Sequence, residues 1–95
     1  MLHAMVSGRQ IKAARALLGW SRNDLAEIAG ISEATVKVVE KDRGFLEALA
    51  PTRQRICQEL EAAGIGFTNG GAIGVTLVPQ DEGLRPEDLN ASNDD

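Results

Sequence analysis

The chain has 95 residues, 43% of them hydrophobic and 25% charged, with a formal net charge of −4. That length holds one modest domain and not two, burying about 60–65% of its unfolded surface, and with two Phe, one Trp and no Tyr the core must be aliphatic and alanine-rich. No apolar run approaches the roughly eighteen residues of a membrane span, the opening MLHAMVSGRQ lacks the basic and apolar segments of a signal peptide, and a single cysteine, Cys57, excludes an internal disulfide and a cysteine-based zinc site. A cytoplasmic protein is expected. The acidity belongs to the end of the chain: residues 1–78 carry nine Lys or Arg against eight Asp or Glu, whereas residues 79–95 carry one Arg against six acids. A domain near neutrality can still present a basic face to a nucleic acid.

In chain order, Met1 to Val6 has no pattern and reads as a frayed lead-in. Ser7 can cap a helix over Gly8–Leu18, in which Ile11, Ala14 and Leu18 follow helical spacing and Gly19 stands at the stop. Arg9, Lys12 and Arg15 on this helix read as a solvated face. Trp20, at the junction that follows, suits a lid over the edge of the core better than a base-stacking platform.

The stretch SRNDLAEIAGISEATVKVVEK, residues 21–41, carries two further helix starts. Ser21 and Asp24 have the form of a capping box, and Ser32 with Thr35 repeats it more weakly. Between them Gly30 lets the chain turn. Ala26 and Gly30, small and four apart, would let helix axes approach, and Leu25, Ile28, Ile31, Val36 and Val39 would close a shared core. Two short helices joined by a tight turn are a helix-turn-helix.

After Lys41 comes a polar turn, Asp42-Arg43-Gly44, then Phe45 to Ala50, which supports at most one helical turn because Pro51 pushes the residue before it away from the α region. A helix capped by Thr52 then runs over TRQRICQELEAAG, with Ile56, Leu60 and Ala63 on one face, Cys57 beside them and Gly64 at the end. Beyond it the period changes from helical to alternating. Ile65 to Thr68 and Ile73 to Val78 read as strands around the turn cluster Asn69-Gly70-Gly71-Ala72, a β-hairpin rather than a phosphate loop, since no Gly-Lys-Ser/Thr is present. A two-stranded hairpin is marginal alone. It must pack on the helices or pair with a second copy. The acidic remainder is expected to be disordered, which divides the chain into residues 1–64 (helix-turn-helix domain, core 21–41), 65–78 (hairpin, a candidate dimerisation element) and 79–95 (acidic tail).

Through Ala14-Arg15, Leu17-Leu18-Gly19, Leu25-Ala26, Ala29-Gly30-Ile31-Ser32, Val36, Val39 and Glu40, the region from about Gly8 to Ala63 resembles the Xre and phage-repressor family of helix-turn-helix DNA-binding proteins. The resemblance implies a mainly α, compact four-to-five-helix domain, here followed by the hairpin. It implies that Arg15 pairs with Glu40 and that both, with Ala26 and Gly30, are structural. It implies base contacts from Glu33, Ala34 and Val38, with Thr35 and Lys37 adjacent, and phosphate contacts from Arg22, Ser32, Lys41 and Arg43. Arg22 stands where the family usually has glutamine, and Glu33, Ala34 and Val38 offer no donor to base edges, leaving polar readout to Thr35 and Lys37.

Chemistry other than binding finds little support. His3 lies in the lead-in, Cys57 on a helix face expected to be buried, and no metal-ligand or paired-carboxylate spacing occurs. The expectation is no enzyme, no cofactor and no metal. A homodimer on double-stranded DNA is expected instead, with a protein partner, as in an antiactivator or antitoxin, as the alternative.

Overall fold

The computed structural model describes residues 6–41 and 49–79, as four helices followed by a two-stranded antiparallel sheet: α1 (Gly8–Leu18), α2 (Arg22–Ala29), α3 (Glu33–Lys41), α4 (Ala50–Ala62), β1 (Ile65–Thr68) and β2 (Gly74–Leu77). The turn at 42–44, most of the stretch from 45 to 50 and the tail from residue 80 lie outside the described residues.

The first three helices start by one local device. Ser7, Ser21 and Ser32 each accept the backbone N–H three residues ahead, from Gln10, Asp24 and Thr35, and in the first two cases the later side chain returns a bond to the serine N–H. Outside each serine stands an apolar residue whose staple partner is four residues beyond the cap: Val6 with Ile11, Trp20 with Leu25, Ile31 with Val36. All six belong to the core or pack against it. Val6 is therefore no frayed lead-in; it is wholly buried because the staple draws it onto α1.

The first two helices also end alike. Gly19 and Gly30 both lie at φ 73°, and the N–H groups of Trp20 and Ile31 return to the carbonyls of Arg15 and Ala26 at 3.0 Å. This is the six-to-one bond of a Schellman ending, which needs a left-handed residue and hence favours glycine. The connectors Gly19-Trp20-Ser21 and Gly30-Ile31-Ser32 thus close one helix and open the next within three residues.

α4 departs from expectation at its start. It begins at Ala50, with Pro51 in its first turn and Leu49 at the cap position without a side-chain cap bond, so Pro51 opens the helix rather than ending one, and Thr52 lies inside it. Proline's missing N–H costs nothing in a first turn, where that donor has no partner in the helix anyway. Arg55 of α4 donates its Nε–H to the carbonyl of Ala29 at 2.6 Å, satisfying the last turn of α2.

Val6, Ile11, Ala14, Leu25, Ala26, Ala29, Val36, Val39, Ile56, Cys57, Leu60 and Ile65 form the core. Ile28, expected within it, is 42% exposed: α2 turns Leu25, Ala26 and Ala29 inward, and Ile28 points away with Asp24. The hairpin pairs Ile65 with Leu77 and Phe67 with Val75, and these four close over the helices from one face of the sheet. Gln10 fastens it: the side-chain oxygen accepts the Ser7 N–H at 2.9 Å, while Nε2 donates to the carbonyls of Thr68 and Gly74 at 3.2 and 3.0 Å. Packing on helices, one of the two outcomes expected for the hairpin, is met within the single chain.

Candidate nucleic-acid interface

α3 has two faces because its apolar residues recur at helical spacing. Val36, Val39 and Glu40 are buried, whereas Glu33, Ala34, Lys37, Val38 and Lys41 are exposed and Thr35 lies at the boundary. The exposed residues form one stripe along about two and a half turns, with Val38 half exposed at 50%. Ser32 stands at its head, the hydroxyl accepting the Thr35 N–H at 3.1 Å and lying 2.8 Å from the Thr35 hydroxyl. The first-turn N–H groups and the positive end of the helix therefore face outward with Glu33 and Ala34. Arg43 lies outside the described residues.

The angle of this helix is fixed by a buried carboxylate. Glu40, its side chain 2% exposed, receives Arg15 through two bonds, Nε to Oε2 at 2.6 Å and Nη2 to Oε1 at 3.1 Å. The third arm of the same guanidinium donates to the Trp20 carbonyl at 3.0 Å. One arginine thereby holds the end of α3 to α1 and to the first connector. The hydrogen bond and charge of Glu40 hold the Arg15 pKa above its ordinary value against the opposing effect of burial.

Arg22, expected toward phosphate, leans on the same carboxylate: its Nε lies 3.4 Å from Glu40 Oε1, and the side chain remains 34% exposed. It stands at the first position of α2, so its exposed part is carried on a helix N-terminus beside the α3 stripe. The structure thus brings Arg15, Glu40 and Arg22 together, gathers Glu33, Ala34, Lys37, Val38 and Lys41 on one outward stripe, and places Ala26 in the core. Gly30 is needed for its φ rather than its size, since a Cβ there would meet only Arg55 Nη2 at an ordinary 3.7 Å.

Three contributors were not foreseen from sequence. Gly8 is buried where α1 meets the last turn of α3, and a Cβ on it would come within 2.3 Å of the Glu40 carbonyl oxygen. Gln10 ties the hairpin to α1, and Arg55 caps α2. Gly8 and Gln10 have a visible signal in hindsight, since both precede the apolar spacing of α1 and sit on the face it continues; Arg55 has none. Among the described residues no group of three His, Cys, Asp or Glu could hold a metal ion, and no helix is long and apolar enough to cross a membrane.

Two helices joined by a three-residue glycine connector, the second offering an exposed stripe and held at its far end by a buried ion pair, define a helix-turn-helix unit. A helix-turn-helix family model matches residues 11–44, from the end of the first turn of α1 to just past α3. Over this segment, about a third of the chain, the sequence is similar to the Xre-like helix-turn-helix family of DNA-binding regulators. No curated protein matches the chain.

Proposed function

We propose that the protein is a sequence-specific transcriptional regulator, a repressor, that acts in the cytoplasm as a homodimer on two half-sites about 34 Å apart or a multiple of that distance. In this reading residues 1–64 are the DNA-binding unit and α3 enters the major groove. Glu33, Ala34, Thr35, Lys37 and Val38 meet base edges, and Arg22, Ser32, Lys41 and Arg43 meet phosphates. The observation that carries it is the outward stripe of α3 on a helix whose buried side is anchored by Val36, Val39 and Glu40. Glu33 accepts from a cytosine amine, Ala34 touches a thymine methyl, and Lys37 is the principal donor.

The test is a gel shift of the protein against its own upstream DNA at two salt concentrations. If about six phosphates are contacted, affinity falls ~10³-fold or more between 50 and 200 mM salt. A response that is flat with salt sinks the proposal.

One observation favours a second reading, in which the helix-turn-helix holds a protein partner and no longer reads DNA: Val38, half exposed at the middle of the stripe, makes no hydrogen bond to a base. The two readings separate by substitution. On DNA, Arg43→Ala weakens binding to every sequence while Val38→Ala has a small, sequence-dependent effect. With a protein partner, Val38→Asp abolishes capture and Arg43→Ala has little effect.

A further inference from the structure

We propose that the outer edge of β2 pairs with the same edge of a second copy, antiparallel across a two-fold axis, to give a four-stranded sheet in the order β1-β2-β2-β1. This rests on the dimeric regulator reading for its purpose, though not for its geometry.

The Val78 N–H donates to the Gly64 carbonyl at 2.8 Å. With the register fixed, the hydrogen-bonded pairs are then Gly66 with Thr76 and Thr68 with Gly74, and the N–H and C=O groups of Val75 and Leu77 point out of the sheet. Among the described residues no other element takes them up. Sheet edges are ordinarily guarded by lysine, by bulges or by a covering element. Here no residue from Ile65 to Pro79 carries a charge. Among the described residues the most exposed large apolar side chains, Ile73 at 70% and Val78 at 65%, flank the two ends of β2.

A neutral edge offers no charge complementarity with which to select a charged partner strand. It suits its own copy, since an antiparallel pairing of one strand with itself presents the same donors and acceptors from both sides and closes without leaving a further β2 edge.

The experiment is sedimentation of the full chain without DNA over a range of concentrations, with amide hydrogen exchange read at Val75 and Leu77. Wild type is expected to pass from its 10.1 kDa monomer to twice that mass as concentration rises, with the Val75 and Leu77 amides slowing at least tenfold in step. Thr76→Lys with Val78→Lys, both at exposed positions, is expected to remain monomeric at an unchanged melting temperature. A chain that stays monomeric, a dimer whose Val75 and Leu77 amides exchange freely, or one that survives the double substitution overturns the proposal. Gel shifts on a single half-site separate the two questions. Dimerisation through β2 with no DNA binding sinks the regulator reading alone, and DNA binding by a protein that never pairs sinks this one alone.

Discussion

Glu40 joins three helices through one side chain, because its carboxylate at the end of α3 is buried and accepts from Arg15 of α1 and Arg22 of α2. Removing it leaves Arg15 largely buried with only the Trp20 carbonyl as partner. Breaking a buried pair in this way costs on the order of 3 kcal/mol, so Glu40→Ala should lower the urea midpoint by an amount equivalent to that loss. Arg22→Ala, removing a longer and more exposed contact, should cost under about 1 kcal/mol. Cys57 yields a prediction of a different kind. Burial, reinforced by Glu61, pushes its thiol up to about 12 from an ordinary value of 9.0. The unfolded chain ionises first, so the contribution of this group is intact below pH 9 and is lost progressively as pH rises toward 12. Urea titrations across that range should show the decline, and Cys57→Ala should flatten it while lowering stability at neutral pH. Gln10→Glu tests the hairpin tie: the new carboxylate can still accept from Ser7 but faces the Thr68 and Gly74 carbonyls with no proton to offer. A loss of about 1–3 kcal/mol is expected, with hydrogen exchange accelerating first in β1 and β2.

At the level of elements, the spacing between α1 and α3 depends on one missing methyl group. A Cβ on Gly8 would overlap the carbonyl oxygens of Val39 and Glu40, which are backbone and cannot swing aside. Gly8→Ala should therefore force the helices apart and destabilise by about 1–3 kcal/mol in thermal denaturation, although alanine is the better helix former. Much of this architecture was legible beforehand. α1, α2 and α3 announce themselves by serine caps and apolar spacing, and the first two also by glycine stops, all of which act within six residues. The Arg15–Glu40 pair followed from family resemblance, since nothing local joins positions 25 apart. What was not legible depends on tertiary context. Ile28 looks like core by composition, but the short α2 has room to bury only one face. Pro51 looks like a terminator and is an opener, because proline's cost depends on where a helix begins. Gln10 reads as a surface polar residue until a hairpin from the far end of the domain arrives over it.

Across the whole molecule, the mechanical connections run in one line. The hairpin is bonded to Gln10 near the start of α1, the same turn of α1 abuts the end of α3 at Gly8, and Arg15 grips α3 from the next turns. None of these links is a flexible tether. If two copies join at β2, the gap between their reading helices is therefore a fixed dimension, like the jaws of a locked caliper. Inserting one or two base pairs between the half-sites would both lengthen the target and rotate one half around the duplex. Such a protein has no slack with which to follow.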